Sequence, residues 1–235
     1  MAGLIAMASG ARCGALENHG ALLPTAVAGI AIPHSRAAQA AAALSRRSCP
    51  ETLFNHCMRT FLFGALHQQH HGRAYDAEAA FVAASLHDMG LLADFESKSK
   101  PFEVDSADVA ERLAQKYGIS QRSAKTIWDA AAMHDMRWAI VERQNSTVQL
   151  VAAGAGADVM GPDEDMISPA ATAEVVKAFP RLGFKSQFAE LLTQHCRRKP
   201  LSQVGTWLDD YCHAAVPNVV YPNTKEAIAA APFSE

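Results

Sequence analysis

Apolar residues recur along this chain at every third or fourth position, segment after segment, and the alternating β-branched pattern of a half-buried strand is almost absent. The spacing predicts an all-α protein. One helix opens after Pro33 and runs through "SRAAQAAAAL", and a second follows Pro50 with Leu53, Cys57, Phe61 and Gly64 recurring near every fourth position. The third, "DAEAAFVAASLHD", is apolar nearly all round and is expected at the centre, with Gly90 placed to terminate it. "DSADVAERLAQKYG" opens at Asp105 or Ser106 and stops at Gly118, and Ser120 starts "SQRSAKTIWDAAAMHD". Further helices are expected over about 146–159, 169–178, 185–198 and 203–214, with Pro169 suited to a first-turn position.

No internal repeat and no linker divides this pattern, so residues 31–216 read as one domain. An Ala/Gly-rich peripheral extension, expected to be partly disordered, precedes it over 1–30, and an irregular tail follows over 217–235. At 235 residues, 49% of them hydrophobic and 19% charged, the chain can bury a full core. A net charge of −3 leaves no basic excess for a phosphate backbone, and no Lys/Arg cluster is interleaved with aromatics, which argues against nucleic acid as a partner. No segment reaches the roughly 18 apolar residues of a membrane span, and the amino terminus lacks the basic start and continuous apolar centre of a signal peptide. The five cysteines, Cys13, Cys49, Cys57, Cys196 and Cys212, are odd in number and never paired as CxxC, so they read as reduced thiols in a cytoplasmic protein.

Chemistry concentrates at "AASLHDMG", where an imidazole and a carboxylate end an apolar run. Adjacent side chains on a helix point about 100° apart, so His87 and Asp88 do not stack on each other but both reach an ion lying against the helix. His56 sits within "ETLFNHCMRTF" and Asp158 within "LVAAGAGADVMG", each an ionisable group in an apolar setting that calls for a partner or a metal. Imidazole and carboxylate donors suit zinc, with iron or manganese as alternatives. "HQQHH", with His67, His70 and His71 at helical spacing, follows a helix with no carboxylate nearby and reads as a solvated end. "GAGAD" has no strand before it and is no nucleotide loop; its small residues suit close helix packing beside Asp158.

At these residues the sequence resembles the HD-domain metalloproteins, whose signature is a His, a His-Asp dipeptide and a distant Asp on helices around one metal centre. The narrower likeness is to the cyanamide hydratase branch, carried by "LFNHCMRTFLFG", "SLHDMGL", "SKPFEVDSADVAERL", "AAMHDM", "LVAAGAGADVMG" and "FPRLGFKSQFAELLTQHCRRKP". The resemblance implies a helical HD-domain bundle with His56, His87, Asp88 and Asp158 as ligands of one divalent metal ion. Two-metal centres of this kind generally need two more histidines between Asp88 and Asp158, and His134 alone stands there.

A mononuclear centre of that type, with Asp88 among the catalytic groups, lowers the pKa of water toward ~7 and supplies hydroxide for hydration of a small nitrile, cyanamide to urea being the pattern. His134 is then the acid/base or substrate donor, or else a helix-surface histidine near Asp135. Glu103 either orients water or substrate or favours the amino terminus of its helix through the backbone dipole. Lys98, Lys100 and Arg59 are the candidate substrate contacts. Two other classes stand beside the hydratase: a mononuclear phosphohydrolase, which needs Arg/Lys groups converging on the metal, and a non-catalytic module, which has no need of intact buried ionisable groups. Self-association suits an Ala-rich helical chain, and the expected partner otherwise is a small-molecule substrate.

Overall fold

The computed structural model describes residues 23–232. Eleven helices occur among them: α1 (Arg36–Ser48), α2 (Glu51–His70), α3 (Ala77–Leu86), α4 (Phe102–Lys116), α5 (Gln121–Ala132), α6 (Trp138–Val141), α7 (Ser146–Met160), α8 (Pro169–Ala178), α9 (Phe184–Arg198), α10 (Asp209–Ala215) and α11 (Thr224–Ala229). The all-α expectation holds, with one addition. Val27 pairs with Ile30 and Ala26 with Ala31 in a two-residue antiparallel hairpin, β1 (Ala26–Val27) and β2 (Ile30–Ala31), too short for a period-2 pattern to register. The rest of the amino-terminal extension lies outside the described residues.

Helix starts follow their caps. Ser35, Asp76, Ser120, Asn145 and Ser168 each accept a hydrogen bond from a backbone N–H of the first turn, and Pro169 occupies the first turn of α8. Gly118, at φ +77°, follows the end of α4.

Four boundaries differ from expectation. Helix α3 stops at Leu86, and His87 and Asp88 lie in the turn beyond it, followed by a single 3-10 turn over Met89–Leu91. Gly90 is therefore no helix terminator: a Cβ there would collide with the carbonyl oxygen of Phe102, while its N–H donates to Ser106 Oγ at 2.8 Å. Helix α4 begins at Phe102, before Asp105, whose carboxylate is spent on Lys199 instead of on a cap. The expected helix over 203–214 shortens to α10, and the tail carries the exposed α11, capped by Asn223.

The cysteine expectation is also corrected. Helices α9 and α10 fold back on each other, bringing the Cα atoms of Cys196 and Cys212 to 5.2 Å, and the two are joined in a disulfide. Cys49 and Cys57 are free, and Cys13 lies outside the described residues.

At the centre, α3 is buried along its whole length from Ala79 to Leu86, as its all-round apolar pattern requires, and α2 from Thr52 to Ala65. Phe61 of α2 meets Phe81 of α3 edge to face, with ring centroids 5.1 Å apart. Helices α2 and α7 approach closely because both carry glycine where they cross. A Cβ at Gly64 would collide with the carbonyl of Leu150, and one at Gly154 with the carbonyl of Thr60. Gly156, two residues on, points to the opposite side and meets nothing within 4 Å.

These two glycines predict opposite outcomes on denaturant unfolding. Gly154→Ala should destabilise by about 1–3 kcal/mol through overpacking against backbone. Gly156→Ala should stabilise by about 0.5–1 kcal/mol through helix propensity. A Gly154→Ala midpoint at or above that of the wild type would show that the crossing is looser than described.

Candidate metal centre

His56 sits mid-way along α2, and His87 and Asp88 form the turn that ends α3; all three are buried. Their donor atoms converge. His56 Nε2 lies 3.2 Å from His87 Nε2 and 3.3 Å from Asp88 Oδ2, and His87 Nε2 lies 3.4 Å from the same oxygen. A tetrahedral ion with donors at about 2.0–2.1 Å has donor–donor edges of about 3.3–3.4 Å, so the triangle fits a divalent cation. Asp88 Oδ2 is buried without a hydrogen-bond partner, an expensive vacancy in an acceptor unless a cation fills it.

The other ring nitrogens explain why Nε2 faces inward in each case. His87 Nδ1 is 2.8 Å from Ala84 O, a carbonyl left over at the end of α3, and donating its N–H there leaves the Nε2 lone pair for the centre. His134 repeats the device at the end of α5, with Nδ1 2.7 Å from Ala131 O and Nε2 turned toward Asp88 Oδ1 at 3.6 Å. His56 uses a carboxylate: its Nδ1 lies 2.7 Å from Asp158 Oδ2.

Asp158 therefore stands behind His56 and not on the triangle. Its Oδ1 accepts from Arg59 Nε and Arg181 Nη1, both at 2.7 Å, and its Oδ2 from Arg59 Nη2 at 2.8 Å as well as from His56. With both oxygens engaged, the carboxylate orients a ligand here. Arg59 is fully buried; its Nη1 also donates to the carbonyls of Phe179 and Pro180, so its guanidinium is consumed by structure.

Electrostatics follow the same pattern. Burial works against a charged Asp88, but His87, His56 and His134 overcome it and hold the carboxyl well below its usual range. Burial likewise opposes Asp158, and His56 and Arg59 hold it low. Burial pushes His87 down to about 3, keeping it neutral. For His56 burial is outweighed by Asp158 and Asp88, which raise it.

The remaining candidates scatter. Glu103 is buried in the first turn of α4, and burial together with the neighbouring Asp135 carboxylate raises it well above the ordinary carboxylate range, so it is suited to carry a proton toward Asp135. Lys98 is exposed, and Lys100 pairs with Asp108 at 2.5 Å on the surface. The buried lysine in this region is Lys199, bound to Asp105 at 2.7 Å. Asp135, on the wall of the cavity before the cluster, and Arg181, bound to Asp158, are site residues that sequence reasoning missed. Asp135 alone carried a local signal, as the second half of another His-Asp dipeptide.

A cavity of about 580 Å³ opens in front of the cluster, with His56, Asp88, His134 and Asp135 on its wall. Against known proteins, a family model for the HD domain matches residues 53–171, about half of the chain. That span contains His56, His87, Asp88, His134 and Asp158. No curated protein matches the chain.

Two outcomes test the centre. Asp88→Ala should reduce bound metal, read by elemental analysis, from about one ion per chain to near none while circular dichroism stays helical; full occupancy in that variant would remove Asp88 from the ligand set. In metal-free protein, His87 binds no proton between about pH 3 and 6.5 although the unfolded chain does, so stability falls as pH drops through that window. Glu103, raised by burial and Asp135, works the other way as pH falls toward 4.5, but His67 and His195, both lowered by burial to about 4, act in the same direction as His87 and outweigh it. Asp88 and Asp158, held low, remove more below their ordinary value of 3.8, whereas the contribution of the raised His56 is already complete below 6.5. The thermal midpoint of the metal-free protein should thus decline from pH 7 to pH 4, and a rising midpoint would contradict the burial of a neutral His87.

Proposed function

The chain belongs to the HD-domain family, and from that premise we propose that it is a metal-dependent enzyme adding water to an uncharged nitrile-type carbon, as in the conversion of cyanamide to urea. HD-domain proteins are in general metal-dependent hydrolases, and the His56–His87–Asp88 cluster supplies the donors for a divalent ion. One observation carries the narrower reading: among the described residues no arginine or lysine faces the cavity beside the cluster. Arg59 and Arg181 are spent on Asp158, Lys199 on Asp105, and Arg73, the one such residue on the cavity wall, stands at its other end. A phosphate ester brings charge that needs such groups close by. An uncharged electrophile does not.

A divalent ion supplies Lewis acidity and a lowered pKa for water. The chain's own groups do the rest. His134, with Nδ1 committed to Ala131 O, presents Nε2 as the atom that takes a proton from water and returns it to the substrate nitrogen. Phe102 and Phe188 line the cavity near the cluster and exclude bulk water. The water oxygen bonds to carbon, both water protons end on nitrogen, and nothing leaves.

The test is a urea assay with cyanamide beside a phosphate-release assay with nucleoside monophosphates, on protein of known metal content. Urea formation is expected, with His134→Ala retaining its metal and losing about 10²–10⁴-fold in turnover. Phosphate release without urea would replace the hydratase reading by a phosphohydrolase, the activity that the family at large favours.

A further inference from the structure

The cavity is far larger than cyanamide requires. At about 580 Å³ it falls among pockets that hold drug-sized ligands, roughly 300–1,000 Å³. Since water occupies about 30 Å³ of liquid per molecule, a nitrile of a few atoms fills on the order of a tenth of it. The space is also long. His56 and His67 both line it and are eleven positions apart on α2, which is about 16 Å at 1.5 Å per residue. Between these ends the wall is mostly apolar, formed by Met136, Trp138, Val159, Trp207 and the small residues Ala153 and Gly156 of α7.

The two ends differ in their polar groups. At the cluster end stand the carboxylates of Asp88 and Asp135. At the other, Arg73 donates from Nη1 to Gln149 Oε1 at 2.7 Å, and Gln149 is itself anchored to the carbonyls of Glu142 and Gln144. Among the described residues no carboxylate pairs with Arg73. Beside it, the rings of His67 and His71 lie 4.6 Å apart, and His67 Nδ1 is buried with no partner. Burial, then His71 and Arg73, hold His67 down to about 4, leaving an uncharged ring able to donate a hydrogen bond. Asp163, the other carboxylate on the wall, lies beyond the last residue of α7, at the opposite end from Gln149 in that helix's first turn.

We infer that the cavity takes an elongated, mainly apolar substrate whose terminal carboxylate is held by Arg73, with its reacting group at the His56–His87–Asp88 cluster. The nitrile character of that reacting group rests on the function proposed above; the carboxylate and the apolar body rest on the cavity itself. A guanidinium with free N–H donors binds a carboxylate in a paired, directional way, and a chain seated there extends along the apolar wall and brings its other end to the cluster. Cyanamide is then a fragment of the natural substrate. Remote binding energy lost on truncation appears as lost turnover.

The probe is dodecanoate, titrated into the full-length protein with and without added zinc and followed by tryptophan fluorescence, since Trp138 and Trp207 line the cavity. Saturable quenching is expected. Arg73→Ala, a change at an exposed position, should weaken dodecanoate at least tenfold and uncharged dodecanol less than twofold. Gly156→Leu, where a side chain has open space, should weaken both ligands. Followed by the amide it forms, 11-cyanoundecanoate should be hydrated with a kcat/KM at least 100-fold above that for cyanamide. Absence of saturable binding to the wild type, or unchanged dodecanoate affinity in Arg73→Ala, would overturn the inference even if cyanamide is hydrated. Arg73-dependent binding without hydration of either nitrile would uphold it and remove the hydratase reading instead.

Discussion

The buried carboxylate of Asp158 is the contact on which the rest of the site depends. It is reached by two guanidiniums and one imidazole, from α2, from the segment after α8 and from α2 again, while it is itself carried by α7. Burying such a group is costly unless every lone pair is filled, and removing one partner of a buried pair typically costs about 3–5 kcal/mol because the other is stranded. The arrangement therefore tolerates one register of α2 against α7. Arg59 extends the constraint by donating to the carbonyls of Phe179 and Pro180, which ties the approach to α9 into the same knot. The orientation of the His56 ring is an output of this network, further held by Phe184 stacked at 4.9 Å.

Helix α7 shows how one short run of small residues meets three demands. Gly154 and Asp158 are four residues apart and share the face toward α2, the first allowing close approach and the second using it. Gly156 lies between them in sequence and on the far side in space, where it leaves the cavity open. A bulkier alternation would keep the helix and lose either the ion pair or the cavity.

Much of this was legible in the sequence because it is local. Helical periodicity, the cap at Ser120 and the first-turn Pro169 are decided within a few residues, and the His-Asp dipeptide at the end of an apolar run marks a buried polar turn wherever the chain then goes. What the sequence hid is long-range. Whether Asp158 serves an ion or two arginines depends on Arg181, which arrives from 23 residues away. The buried lysine is Lys199 and not Lys98 or Lys100 because α9 delivers its last residues onto Asp105, and nothing in the composition of either segment distinguishes them. The same return of the chain brings Cys196 to Cys212, a pairing that scattered single cysteines do not announce.

That return has a consequence for the cavity. Trp207, part of its wall, lies inside the loop that the Cys196–Cys212 bond closes. The bond stabilises the fold by removing loop-closure entropy from the unfolded chain, about 3 kcal/mol for a loop of this size. Part of the cavity wall is therefore fastened by a covalent bond within its own segment, whereas the cluster it faces is held by hydrogen bonds and ion pairs between α2 and α7.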